Sequence, residues 1–227
     1  MLTRPTEAVR RSGYWLVLAL IALSYVLCAA QERPNPNPIA FLAQLATVAV
    51  ALWIAEVSPV ALRVSLAIVG VAVIAVLGAE IAGLEGHAVD IALSAASALA
   101  CFIAPTAIIA HQVRLRRPGI QNLIAAVAAY VLVGMLFTFV YNLAALLTPV
   151  AILDGPNGDS LRGQLFFSFT TLTTTGYGNV VPVGPVMETF AVVEAIAGQL
   201  FLVIAVASMV IARNARGADA SAEVSQG

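Results

Sequence analysis

The residues best suited to chemistry lie at positions 173–179, where the chain reads Thr-Thr-Thr-Gly-Tyr-Gly-Asn between two long apolar stretches. Thr and Gly offer little except carbonyl and hydroxyl oxygens, and a dehydrated cation needs a cage of such oxygens to replace its hydration shell. Irregular backbone at membrane depth is tolerated only where it is buried in protein or lines a water-filled path. The segment is therefore a candidate cation site, with a Thr/Gly-rich surface loop as the alternative.

Composition places the rest of the chain in a membrane. The chain is 61% hydrophobic and only 10% charged, whereas soluble domains carry roughly 25% charged residues. The net charge of −1 gives no reason to expect a nucleic-acid partner. Cys28 and Cys101 both fall in apolar stretches and are interpreted as small buried hydrophobic residues. No metal-ligand cluster, nucleophile motif or carboxylate pair is visible, so we expect neither an enzyme nor a cofactor.

Six apolar stretches are long enough to cross a bilayer, which takes about 20 residues: residues 14–30, 39–57, 64–81, 89–113, 120–148 and 186–212. A shorter segment, 160–173, predicts a re-entrant helix with Asp159 or Ser160 as its N-cap. Residues 214–227 are polar and rich in Ala and Ser, which predicts a disordered cytoplasmic tail.

Arginines predict the orientation of these spans, because cytoplasmic connections carry an excess of positive charge. They cluster before the first span, between the fourth and fifth, and after the sixth, at Arg4, Arg10, Arg11, Arg114, Arg116, Arg117, Arg213 and Arg216. Both termini are therefore predicted to be cytoplasmic in a multi-pass protein of the inner (plasma) membrane. The first span also resembles a signal peptide ending at Cys28-Ala29-Ala30, and its cleavage would leave five spans.

Residues 168–182, Ser-Phe-Thr-Thr-Leu-Thr-Thr-Thr-Gly-Tyr-Gly-Asn-Val-Val-Pro, resemble the pore helix and selectivity filter of the tetrameric potassium channels, whose filter core reads Thr-Val-Gly-Tyr-Gly. The resemblance covers about residues 120–212. It implies an all-α membrane protein with six transmembrane helices, one re-entrant pore helix and an extended selectivity filter. Residues 119–213 would form the pore domain, and residues 1–118 a four-span N-terminal membrane domain.

The sequence of that N-terminal domain does not indicate a voltage sensor. A voltage sensor needs several arginines inside its fourth span, since each charge moved is worth about 2.3 kcal/mol per 100 mV. Residues 89–113 contain no Arg or Lys and have Pro105 in their middle. The chain is thus similar to a bacterial six-span channel without a charged sensor.

The resemblance also assigns the ion-binding filter, to Thr174, Thr175, Gly176, Tyr177 and Gly178. K⁺ would bind the backbone carbonyls of the first four of these, together with the Thr174 hydroxyl. Gly176 and Gly178 are expected to take positive φ without steric cost. One strand cannot encircle an ion, so a homotetramer is expected.

Other residues would support the filter: Thr170, Thr173, Asn179, Phe166, Phe167 and Glu194. Tyr177 is expected to pack against Phe166 and Phe167. Three positions depart from the family pattern and bear on filter rigidity and the degree of selectivity. Thr175 stands where the family has Val, Asn179 where it usually has Asp, and Thr170 where Val or Glu is common.

The last span carries the remaining candidates. Glu194 is the one carboxylate well inside a span, at a cost of about 2.5–3.5 kcal/mol if charged. It is predicted to lie behind the filter, hydrogen-bonded to the pore-helix region or to a neighbouring subunit, and Glu194→Gln is expected to disturb the filter. Gly198 matches the spacing of the family's hinge glycine, with helix packing as the alternative. Helical steps from it place Leu202, Val206 and Val210 along the cavity.

The function implied is passive, K⁺-selective conduction by a homotetramer in a lipid bilayer, with potassium as the permeant ion. Thr175 and Asn179 leave a weakly selective monovalent cation channel as the alternative. A potassium-uptake transporter subunit is disfavoured, because such subunits carry several pore-like repeats in one chain.

Overall fold

The computed structural model of the protein describes residues 13–30, 43–44, 46–51, 87–115 and 120–224, together with positions 67, 70, 73, 74 and 78. Its main elements are five helices: α1 Gly13–Ala29, α2 His87–Leu115, α3 Ile120–Leu147, α4 Leu161–Leu172 and α5 Gly184–Val224. Two strands of two residues each, β1 Leu153–Asp154 and β2 Val181–Pro182, pair antiparallel on either side of α4 in the sequence. This strand pair is absent from the predicted all-α fold.

Among the described residues, three helices contain stretches long and apolar enough to cross a membrane: His87–Ile109 in α2, Leu123–Leu147 in α3 and Gly184–Ala207 in α5. They coincide with the fourth, fifth and sixth predicted spans. Helix α1 has only 17 residues, fewer than the roughly 20 that a bilayer requires. The second and third predicted spans, 39–57 and 64–81, lie largely outside the described residues. A mostly helical membrane protein is thus confirmed, whereas the count of six spans stays a prediction.

Helix α2 passes through Pro105 without a break and continues to Leu115. Proline lacks the backbone N–H and leaves a carbonyl of the preceding turn without its usual partner. The neighbouring Thr106 hydroxyl lies 3.1 Å from the carbonyl oxygen of Phe102 and 2.7 Å from that of Ile103. Neither acceptor is the carbonyl of Cys101, which lies four residues before Pro105 and loses its N–H partner, so these hydroxyl bonds belong to the adjoining turn.

Helices α2 and α3 make the most extensive helix–helix contact of the described chain. Their shared core contains many small side chains, with Ala100, Ala104, Ala125, Ala128 and Ala129 between 0% and 6% exposed. Small residues let helix backbones approach closely, which is how helices associate in lipid. Close packing therefore explains the alanine content of these spans.

The short helix α4 lies against α3, α5 and α1. Its buried apolar residues Leu161, Leu165 and Leu172 join the core, and Phe169 meets the ring of Tyr25 edge-on at a centroid distance of 5.2 Å. The N-terminal part of the chain therefore contacts the predicted pore helix directly through α1.

Much of the apolar surface of helix α5 is exposed within one protomer. Its apolar side chains Val192, Ile196, Leu200 and Val203 are each more than 50% exposed. Such a face must be covered by lipid or by another protein surface.

Helix α5 also continues to Val224, into the segment predicted to be a disordered tail. Residues 217–222 alternate Ala with Gly, Asp and Ser, and Ala is the strongest helix former. Extending an existing helix avoids the cost of nucleating a new one. The predicted disorder rested on a polar, Ala- and Ser-rich composition and did not include this extension of the helix.

Candidate functional site

The predicted pore helix begins at Ser160, one of the two expected N-caps. Its hydroxyl accepts a hydrogen bond from the backbone N–H of Gly163 at 3.1 Å, and its backbone is extended (φ −92°, ψ 151°). A Cβ at Gly163 would collide with the carbonyl oxygen of Asn157. The helix therefore starts tightly folded back on the turn that precedes it.

After residues 173–179 the chain continues into β2, which pairs with β1. Leu153 pairs with Pro182 and Asp154 with Val181, and the N–H of Val183 donates to the carbonyl of Ile152 at 2.9 Å. These bonds join the chain before α4 to the chain after the Thr/Gly segment. Both ends of the loop that contains α4 and this segment are thereby fixed.

Within the segment, every second residue has a left-handed backbone: Thr174 has φ 56°, Gly176 φ 53° and Gly178 φ 75°. Alternating right- and left-handed residues point successive N–H groups to one side of a chain, which leaves successive carbonyls on the other side. The N–H groups of Thr175 and Gly176 donate to the carbonyl of Thr170, at 2.8 and 3.1 Å. The carbonyls of the segment are thus directed away from α4.

Thr174 was not expected in this conformation. A β-branched residue at positive φ is an outlier, and such strain clusters at functional sites. Residues 173–179 are all exposed in a single protomer. A strained and uncovered strand of this kind needs support from outside the protomer.

Phe166 and Phe167, the two adjacent phenylalanines of α4, contact different partners. Tyr177 stacks on Phe166, with ring centroids 5.8 Å apart and planes 15° apart, but remains 70% exposed. Phe167 instead packs edge-on against Tyr141 of α3 at 5.2 Å. The expected contact of Tyr177 with Phe166 is present, whereas Phe167 faces α3.

Thr175 finds a partner for its hydroxyl at Thr173. The Thr173 hydroxyl donates to the carbonyl of Phe169 at 2.7 Å and lies 2.9 Å from the Thr175 hydroxyl. Because Thr173 has a single proton and uses it on the carbonyl, Thr175 must donate to Thr173. The Thr170 hydroxyl similarly donates to the carbonyl of Phe167 at 3.0 Å.

This order of donors predicts unequal effects for two similar substitutions. Thr175→Val removes a donor and leaves Thr173 satisfied, so stability should change by no more than about 1 kcal/mol. Thr173→Val leaves the Thr175 hydroxyl without its acceptor, at a cost of about 1–3 kcal/mol if the site is desolvated. Thermal unfolding of the purified variants measures both effects, and equal losses would contradict this hydrogen-bond order.

Glu194 is the only charged residue among the fully buried side chains of the described chain. One carboxyl oxygen lies 2.5 Å from the hydroxyl of Ser168 on α4, and the other accepts from the hydroxyl of Tyr141 on α3 at 2.8 Å. The sequence predicted a hydrogen bond to the pore-helix region, and Ser168 makes that contact. Tyr141 was missed, although a tyrosine near the end of an apolar span was a visible signal.

Gly198 lies directly against the last residue of α4. A Cβ at this position would fall well inside van der Waals contact of the carbonyl oxygen of Leu172, and the hydroxyl of Tyr130 donates to the same oxygen at 3.1 Å. Close packing thus gives Gly198 a physical role that requires no bending of α5.

The remaining candidates on α5, the predicted inner helix of the pore, are those expected to line the cavity. Leu202 and Val206 are exposed within the protomer, and Val210 is helical while its side chain lies outside the described set. Their lining of a cavity stays a prediction. Asn179 is exposed, and its carbonyl oxygen lies where a Cβ on Gly155 would be.

A buried polar relay links α2 to the pore helix, and sequence reasoning missed it. The Ser94 hydroxyl donates to Asn142 of α3 at 2.6 Å, and the Asn142 amide donates to Gln164 of α4 at 2.9 Å. All three side chains are 0% exposed. Single polar residues inside apolar spans were the signal, because membrane helices use such groups to hydrogen-bond one another.

Comparison with known proteins agrees with this geometry. Residues 126–213 match the family described as "Ion channel". A stretch of 65 residues is 37% identical to the inward rectifier potassium channel Kirbac3.1 of Paramagnetospirillum magnetotacticum. The chain is therefore similar to ion channels over residues 126–213 and, over 65 residues, to a potassium channel. The stretch makes up 29% of this chain and only 22% of that relative, and no solved structure matches the chain. The potassium channel resemblance is thus confirmed for the region that holds α3, α4, the filter segment and most of α5.

Proposed function

We propose that the protein is a passive, K⁺-selective channel that conducts through the carbonyls of Thr174, Thr175, Gly176 and Tyr177. The observation that carries the proposal is the alternation of left-handed residues along the filter, which points carbonyls away from α4. Rings of backbone carbonyls replace the hydration shell of K⁺. Potassium is the permeant ion, and the chemistry of permeation asks for no other cofactor.

The conducting unit in this proposal is a homotetramer. Each chain supplies one filter strand, and residues 173–179 are exposed in the protomer. Helix α5 exposes a long apolar face beside them. Four copies around one axis would bring the carbonyls together and cover part of that face. Neighbouring copies would also supply the support that the strained Thr174 lacks within the protomer.

Within the bilayer we propose the six-span arrangement predicted from sequence, with residues 1–118 as a membrane domain around the pore and both termini in the cytoplasm. The arginine distribution supports this orientation. The filter then opens to the outside of the inner (plasma) membrane.

A weakly selective cation channel is the second candidate, because Thr175 and Asn179 depart from the family pattern. The Thr175 hydroxyl is engaged by Thr173, which favours a rigid filter and therefore selectivity. The exposed Asn179 offers no carboxylate clamp behind the filter.

Flux from liposomes that contain the purified protein tests the proposal. We expect K⁺ efflux much faster than Na⁺ efflux and block by Ba²⁺. Equal permeation of the two ions would make the weakly selective channel the correct assignment. Absence of flux of either ion across pH and voltage would contradict passive conduction altogether.

A further inference from the structure

Glu194 joins three helices through its carboxyl group. It projects from α5 and contacts Tyr141 of α3 and Ser168 of α4. The Ser168 hydroxyl in turn lies 2.7 Å from the carbonyl oxygen of Gly134 on α3. Ser168 stands one turn before Leu172, the last residue of α4. The cluster therefore lies immediately behind the start of the filter.

The hydroxyl of Ser168 has two close oxygen neighbours but only one proton. A backbone carbonyl can only accept, so the contact with Gly134 uses the Ser168 proton. The contact with Glu194 then requires a proton from elsewhere, because two oxygens at this separation without a hydrogen between them repel. The Tyr141 proton is already used on the other carboxyl oxygen. The remaining source is the carboxyl of Glu194 itself.

We propose, on the basis of the channel function above, that Glu194 is a neutral carboxylic acid in the conducting protein and positions the pore helix through Ser168. It donates to Ser168, Ser168 donates to Gly134, and Tyr141 donates to Glu194. Every donor in this series of hydrogen bonds has one acceptor. Burial favours the same state, since an isolated charge inside a membrane protein is costly.

The other titratable groups near Glu194 are tyrosines. Among the residues that the structure describes, Tyr141 and Tyr130 of α3 face it, and Arg162 of α4 is exposed near the far end of that helix. No described cation lies close enough to stabilise a carboxylate here. Loss of the proton would leave an uncompensated charge and draw the Ser168 hydroxyl away from Gly134. The pore helix would then lose an anchor, so conduction should fall as pH rises.

This assignment reverses the expectation from sequence that Glu194→Gln disturbs the filter. The amide of Gln can donate to Ser168 and its carbonyl can accept from Tyr141, as the neutral acid does. Glu194→Gln should therefore conduct within about twofold of wild type at neutral pH, since its hydrogen bonds are kept. It should also lose the alkaline decline, which in the wild type should reach roughly tenfold or more.

Infrared spectra of the reconstituted protein test the protonation state directly. The wild type at neutral pH should show a protonated-carboxyl C=O band that is lost in Glu194→Gln and kept in Glu188→Gln, a matched change at an exposed glutamate of α5. Absence of that band, or an alkaline decline that persists in Glu194→Gln, would overturn the proposal. If Glu194→Gln fails to assemble, Tyr141→Phe should shift the band, and an unshifted band would count against it. The infrared band can be measured without any ion flow. Its absence can therefore be distinguished from a failure of the protein to conduct K⁺.

Discussion

Gly178→Ala should abolish K⁺ conduction. Gly178 has φ 75°, and a side chain in this left-handed region costs about 1–2 kcal/mol per residue. Four copies meet in the proposed tetramer, so the substitution destabilises the conducting conformation of the filter by roughly 4–8 kcal/mol in total. That corresponds to a loss of conducting channels of roughly a thousandfold or more. K⁺ flux into liposomes at matched protein content measures the loss.

Gly184→Ala provides a matched control outside the filter. Gly184 has φ 83°, and nothing lies within 4 Å of the Cβ that either substitution would add in the protomer. The two changes therefore impose the same kind of backbone strain at positions six residues apart. Gly184→Ala should lower stability by a similar amount of about 1–2 kcal/mol per chain, yet leave flux near the wild-type level, because its strain lies outside the proposed ion path. Equal loss of flux in the two variants would mean that strain alone, and not the filter, explains the effect.

Gly198→Ala should prevent correct packing of the inner helix on the pore helix. The added Cβ would meet the carbonyl oxygen of Leu172, a backbone atom that cannot turn away. Overpacking of this kind costs typically 1–3 kcal/mol and sometimes more. We expect a lower melting temperature, less tetramer by native mass spectrometry and little flux. If Gly198 served only as a hinge, assembly would stay normal and only channel opening would change.

A second glycine supplies the control for this prediction. A Cβ at Gly134 would lie 2.8 Å from the tip of the Phe169 ring, which is a side chain and can be shortened. Gly134→Ala should therefore be destabilising alone and rescued by Phe169→Leu. Gly198→Ala should not be rescued by Leu172→Ala, since the obstructing oxygen remains. Rescue in the second pair would show that the inner helix meets the Leu172 side chain and not its backbone.

Local sequence signals were enough to predict the elements nearest the filter. The Ser160 cap, the bounds of α4 and the positive φ of Gly176 and Gly178 follow from rules that act within a few residues. The membrane character of the chain followed from composition. These features depend on short stretches of chain, so one sequence carries them.

Features that depend on distant parts of the chain were not predictable. One local feature was also missed: Thr174 is left-handed, beside the N–H groups of Thr175 and Gly176 that bond to Thr170, and no propensity of threonine indicates that conformation. The contact of Glu194 with Tyr141 joins residues 53 positions apart. A single sequence shows that both are polar groups in apolar spans, yet it does not show that they meet. The same holds for the relay from Ser94 to Gln164.

The most direct test of the account is a structure of the purified protein in K⁺ and again in Rb⁺ or Tl⁺, whose scattering locates the ions. We expect four chains around one axis, with ion density on that axis at the level of the carbonyls of Thr174, Thr175, Gly176 and Tyr177. A protein that never assembles beyond a single chain, or a Gly176-Tyr177-Gly178 segment on its lipid-facing surface without ion density, would contradict it.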